Sequence, residues 1–206
     1  LDGTLMYTIQ GDTNPRIQEY ALTTAFDIST ASYTNRFFDL TDEENRARGF
    51  CFSNNHSQLF VTGWRGDDIN EYTLSTAFDV STASYSGDGE RFSVQSQDVI
   101  PVSLTFNNEG TKMYVVGWNG DDVNEYTLTT GFDVSTASYS QNFSTEGTGR
   151  SNPSAVQFNL DGTLMYTIQG DTNPRIQEYA LTTAFDISTA SYTNRFFDLT
   201  DEENRA

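Results

Sequence analysis

The chain carries one 47-residue text twice: residues 1–47 recur without a change at 160–206, an offset of 159. Such self-similarity has to be read before any local pattern, because it decides what kind of unit the chain can fold into. Degenerate copies lie inside that period. The segment Leu-Thr/Ser-Thr-Ala/Gly-Phe-Asp-Ile/Val-Ser-Thr-Ala-Ser-Tyr begins at Leu22, Leu74, Leu128 and Leu181, at spacings of 52, 54 and 53. One unit is therefore about 53 residues, and the offset spans three of them.

Each unit reads as four short strands separated by turn chemistry. In the third, Val102–Phe106 alternates as a first strand, and Asn107–Thr111 is a hairpin turn with Gly110 free to take positive φ. Lys112–Gly117 is a second strand rich in β-branched and aromatic residues, and Val123–Leu128 a third. A longer connection leads to a fourth around Tyr139–Phe143. No helical period appears. Four antiparallel strands per unit of this size predict an all-β chain of β-propeller blades. A blade is apolar on both faces, so it must stack on neighbours to bury itself. The expected blades are 1–47, 48–100, 101–152 and 153–206, the first starting at its Asp-Gly turn and lacking its inner strand. An open arc of this kind exposes edges and apolar faces, which predicts association with copies of itself.

Composition removes several function classes. Eleven cations against 29 acids give a net charge of −18. Such a surface repels phosphate backbones and anionic headgroups, so nucleic acid and membrane surfaces are not expected partners. Aromatics reach 14% with charged residues at 19%, too apolar and aromatic for a disordered chain. No run is long and apolar enough to span a bilayer, and the ends look cut from something longer.

The unit PSAVQFNLDGTLMYTIQGDTNPRIQEYAL resembles the YVTN-type propeller family through Pro153, Phe158, Asp161-Gly162, Met165-Tyr166 and Tyr179, and in the third unit through Pro101, Phe106, Gly110, Met113-Tyr114 and Tyr126. The resemblance implies the architecture and no activity. The FDVSTASY-bearing repeats are also similar to those of uncharacterised marine bacterial and phage-associated proteins, which implies an extracellular or virion setting. Thr167 stands where the family has Val, and the FDVSTAS connection is longer than the family's usual link.

Between second and third strands the units diverge. Two carry Trp64-Arg-Gly-Asp67-Asp68 and Trp118-Asn-Gly-Asp121-Asp122; the other two carry Asp12-Thr-Asn-Pro-Arg16 and Asp171-Thr-Asn-Pro-Arg175. In a propeller these loops surround the channel mouth. Trp64 and Trp118 can stack on a sugar ring while Asp67, Asp68, Asp121 and Asp122 bond its hydroxyls. The competing structural assignment has the indoles covering the blade edge and the acids shaping turns. Calcium is a possible cofactor of these acids, but Gly-Asp-Asp offers few of the six to eight oxygens it takes. Asp27, Asp79, Asp133 and Asp186, present in every unit, are expected to cap the turn that follows them, with Phe26, Phe78, Phe132 and Phe185 anchoring it.

The single histidine, His56, sits in a hairpin turn where other units have Gly3, Gly110 and Gly162. Cys51 takes the place of Thr105 and Gln157, an expected buried or channel-facing thiol. Nucleophile elbows, phosphate loops and metal-ligand spacings such as HExxH and CxxC are absent from the sequence. The sequence thus favours a non-catalytic structural or adhesive module whose partners are copies of itself and a glycan or protein ligand. An enzyme of lactonase or lyase type with a central-channel site stays open, as does an engineered symmetric repeat without biological activity.

Overall fold

The computed structural model describes residues 2–12, 14–145, 152–169 and 174–200. Alternating side chains and glycine-bearing turns produce four small antiparallel sheets. The first holds β1 (Leu5–Gln10), β2 (Arg16–Leu22) and β3 (Ala31–Asp39). The second holds β4 (Ala47–Phe52), β5 (Gln58–Gly63), β6 (Asp68–Leu74), β7 (Ala83–Tyr85) and β8 (Arg91–Ser93). The third is β9 (Pro101–Phe106), β10 (Lys112–Gly117), β11 (Asp122–Leu128) and β12 (Ala137–Ser144). The fourth is β13 (Pro153–Phe158), β14 (Leu164–Gln169), β15 (Arg175–Leu181) and β16 (Ala190–Asp198).

The sheets are arranged as a four-bladed β-propeller, each a meander with its strands hydrogen-bonded in chain order. Blade two departs from the expected pattern. Its outer strand is split into β7 and β8, which both pair with β6 and are separated by a 3-10 turn at Asp88–Glu90. Its inner strand begins at Ala47, inside the span assigned to the first unit from sequence.

The core lies between blades. Ile17, Leu59, Val61 and Tyr72 fill the first junction, Phe60, Ile69, Met113 and Tyr126 the second, and Tyr114, Val116, Met165 and Tyr179 the third. Outer-strand phenylalanines cross each junction edge-on: Phe38 on Tyr72 at 5.1 Å, Phe92 on Tyr126 at 5.4 Å, Phe143 on Tyr179 at 5.2 Å. Fully burying such a side chain stabilises by roughly 1.5–3 kcal/mol, against about 0–1 for an exposed ion pair, so stacking dominates.

The repeated Phe-Asp segment is the second junction device. Asp27, Asp79, Asp133 and Asp186 each accept from the backbone amide of the serine two residues on, at 3.0–3.1 Å, closing a one-turn 3-10 helix. The phenylalanine before each takes a φ of +58° to +69°. Its ring covers the hairpin glycine of its own blade: a Cβ built on Gly110 would lie 2.3 Å from the Phe132 ring. Blade two has His56 at that place, with φ +57°, stacked on Phe78 at 3.9 Å. The phenylalanine carbonyl in turn receives the preceding blade. Tyr7 Oη donates to Phe78 O at 2.7 Å, Gln58 Nε2 to Phe132 O at 3.1 Å, and Tyr114 Oη to Phe185 O at 2.6 Å.

Candidate functional site

The turns between second and third strands share a face with the blade-to-blade links, because the link residues pair with the residue opening each turn. Trp64 N donates to Arg46 O at 3.2 Å and Trp118 N to Ile100 O at 3.1 Å. Each turn is tied down by a buried acid in that link. The Glu44 carboxylate accepts from the amides of Arg46 at 2.8 Å and Arg65 at 3.2 Å. That of Asp98 accepts from Ile100 at 2.6 Å, Gly120 at 3.2 Å and Asn119 at 3.3 Å. Burial pushes both carboxyls above their usual range, and these amides oppose it. Gly63 and Gly117 make room: a Cβ there would meet the carboxylate carbon at 2.6 and 2.4 Å. Sequence reasoning missed both acids. Their signal is a carboxylate four residues after the buried residue that immediately follows the outer strand, Leu40 to Glu44 and Val94 to Asp98, joined by an amide-to-carbonyl bond.

The predicted site residues divide into two groups. Trp64 and Trp118, from neighbouring blades, meet edge to face at 5.2 Å. The Arg48 guanidinium lies over the Trp64 ring at 4.3 Å and pairs with Asp12 at 3.0 Å. Trp64 also packs against the third junction core, whereas Trp118 is 42% exposed. A shallow cavity of about 320 Å³ opens beside them, lined by Asn45, Arg46, Trp64 and Arg65. Its chemistry is an indole surface edged by guanidinium groups.

The four acids are engaged in the turns and with the outer strand. Asp67 and Asp121 occupy positive-φ turn positions, at +51° and +56°. Their carbonyls accept from Val94 N at 2.8 Å and Thr145 N at 3.0 Å. Asp67 Oδ2 accepts from Gln95 at 3.1 Å, and Asp121 Oδ1 from Asn152 N at 2.6 Å. Asp68 is buried, bonded to Asn70 at 3.0 Å and paired with Arg91 at 3.4 Å; burial pushes its carboxyl up and Arg91 pulls it down. Asp122 accepts from the Asn142 side chain. The segment equivalent to these turns in blade four, 170–173, lies outside the described residues.

Cys51 is half-buried against the second junction core, and desolvation pushes its thiol far up, which suits packing and not nucleophilic attack. Burial pulls His56 down.

No protein-family model matches the chain, and no curated protein matches it. Solved structures do. A "putative 6-phosphogluconolactonase" from Bacteroides uniformis superposes with a TM-score of 0.59 at 13% identity, over 97% of this chain and 54% of that one. A functionally unknown protein from Desulfotomaculum acetoxidans gives 0.60 at 13%, over 95% and 53%. A second protein with the lactonase description, from Bacteroides fragilis, gives 0.61 at 12%, over 95% and 68%. The chain thus spans about half the length of the first two structures it resembles, and at these identities the likeness is one of fold.

Proposed function

We propose that the chain is a non-catalytic propeller module that works by stacking on further blades, a second copy of itself first, as a structural or adhesive part of an extracellular or virion-borne assembly. One observation carries the stacking: the same amino-acid text stands in two settings. In blade one Ile17 is 0% exposed beneath blade two and Phe38 packs on Tyr72. In blade four the equivalent Phe197 is 60% exposed, beside an open cavity of about 180 Å³ lined by Tyr166, Ile176, Glu178, Arg195, Phe196 and Phe197. The opposite faces mirror this. Ile187 is 0% exposed beneath blade three, whereas its twin Ile28 on blade one is 75% exposed.

The two open faces fit each other by the chemistry used inside the chain. Tyr166 is the twin of Tyr7, whose hydroxyl binds Phe78 O, and Phe26 of a second copy presents the same positive-φ carbonyl. Arg195 holds Glu178 at 3.3 Å as Arg36 holds Glu19 at 3.1 Å, and Arg36 also reaches Asp79 of the next blade at 3.5 Å. Asp27 of a second copy is the counterpart of Asp79. The half-exposed Trp118 is the candidate contact for a glycan or protein ligand at the channel mouth.

Sedimentation equilibrium tests the stacking. The wild-type chain is expected to reach at least twice its 23.0 kDa as concentration rises, and Phe197→Asp to stay at 23.0 kDa. A wild-type chain that stays single under all conditions refutes it. Glycan-array binding lost in Trp118→Ala, with assembly intact, is the result expected for the mouth. A second reading, an enzyme of lactonase type, is favoured by the description of two structural neighbours. Hydrolysis of 6-phosphogluconolactone by the purified chain is the result that would replace the non-catalytic assignment.

A further inference from the structure

Every third strand places a glutamate before its tyrosine: Glu19, Glu71, Glu125 and Glu178. Three of them meet the next blade at the aspartate that caps its 3-10 turn. At the first junction Arg36 bridges the two acids, lying 3.1 Å from Glu19 and 3.5 Å from Asp79. At the third, Lys112 pairs with Glu125 at 3.0 Å, and Gln141 donates to both Glu125 and Asp186, at 3.0 and 3.1 Å. Each of these junctions carries its own cation.

The second junction has lost both places from which a cation comes. Gln58 occupies the register position of Lys112, paired with Thr73 as Lys112 is with Thr127. It donates to Glu71 at 2.8 Å but brings no charge. Glu90 precedes Arg91, the partner of Asn70, as Arg36 precedes Phe37, the partner of Gln18. A cation has become an acid at that position. The result is three carboxylates, Glu71, Glu90 and Asp133, with oxygens within 4.8 Å of one another. Glu71 is 6% exposed, and its buried Oε2, like that of Glu19 at the first junction, makes no full hydrogen bond, although the Val134 amide acts on the carboxylate.

We infer that Glu71, Glu90 and Asp133 form a site for a hard divalent cation, calcium first, which does at the second junction what Arg36 and Lys112 do at its neighbours. The donors are all carboxylate oxygens, the set that Ca²⁺ takes and that soft metals with sulfur or imidazole preferences do not. Asp133 spends Oδ1 on the Ser135 amide, which leaves Oδ2 for the ion. The site is separate from the Trp64 and Trp118 mouth and does not depend on the chain meeting a second copy.

Calorimetric titration of the chelator-treated whole chain with CaCl2, in about 0.15 M salt to screen diffuse attraction to the acidic surface, tests the inference. The wild type is expected to show one saturable site. Glu90→Arg, which restores the Arg36 arrangement, is expected to lose it, while Glu109→Arg, an equal charge change at an exposed residue, keeps it. The apo melting temperature is expected to rise in Glu90→Arg and to stop responding to calcium. If that variant does not fold, Glu90→Gln is expected to bind more weakly than wild type. No saturable heat in the wild type, or undiminished binding in the Glu90 variant, overturns the site.

Discussion

The hydroxyl of Tyr114, on the second strand of blade three, donates at 2.6 Å to the carbonyl of Phe185 in blade four. That carbonyl is presented by a backbone at φ +58° and also receives Lys112 Nζ at 2.8 Å. Tyr7 makes the same bond to Phe78 at 2.7 Å, and there Leu5 occupies the place of Lys112. Removing a buried partner costs about 1–3 kcal/mol when the other group is left unsatisfied. Tyr7→Phe is therefore expected to lower stability by about 1–2 kcal/mol in urea unfolding and Tyr114→Phe by less, because Lys112 still serves Phe185 O.

Asp98 serves three amides of the link and turn from a side chain only 2% exposed. Asp98→Ala strands them and opens a gap beside Gly117. A loss of about 2–4 kcal/mol is expected. Asp98→Asn keeps one acceptor oxygen and is expected to lose less. Equal losses in the two variants would mean that volume matters here and amide capture does not.

The pH dependence follows from the buried acids. Glu44, Asp68, Glu71 and Asp98 are raised by burial, so their favourable contribution is complete below the unfolded values of 3.8 and 4.5 and is lost as pH rises through the folded ones. Asp2, Asp39, Asp161, Asp186 and Asp198 are lowered by threonine or serine hydrogen bonds, and their contribution disappears only as pH falls below 3.8. His56, lowered by burial, acts oppositely to the buried acids just below 6.5. Acidification also relieves self-repulsion at a net charge of −18. Calcium-free chain at low concentration is expected to gain stability from pH 8 to about pH 5, read as the urea midpoint, and to lose it below about pH 4.

Gly110 has φ +70° with the Phe132 ring where a Cβ would go. Gly110→Ala is expected to cost more than about 1 kcal/mol, through backbone strain and displacement of that ring. His56→Gly is expected to be milder, relieving its positive φ while losing the stack on Phe78. Chemical denaturation of both variants reads the difference.

The blades were legible because strand alternation, hairpin glycines and the repeated Phe-Asp turn are local and recur within the chain. Contacts that need register were not. Glu44 and Asp98 each bind a local amide two residues on, but the turn amides they also hold lie about twenty residues onward, which the local spacing does not reveal. Trp64 and Trp118 lie on neighbouring blades, and only the stacking of blade two on blade three brings their rings together. Asp67, Asp68, Asp121 and Asp122 read first as turn formers and second as ligands, and the outer strand that holds them has to be placed before their partners are known. Glu90 ends the 3-10 turn that splits the outer strand of blade two, which hid its equivalence to Arg36.

Each blade face is stabilised by the blade stacked on it, and Ile17 and Ile176 test this because they are the same residue in the same sequence. Ile17 is fully buried under blade two, whereas Ile176 lines the open cavity on blade four. Under conditions where sedimentation finds single chains, Ile17→Ala is expected to cost about 2–5 kcal/mol in urea unfolding, and Ile176→Ala less than about 1 kcal/mol. Equal costs at the two positions would mean that blade stacking does not stabilise these faces.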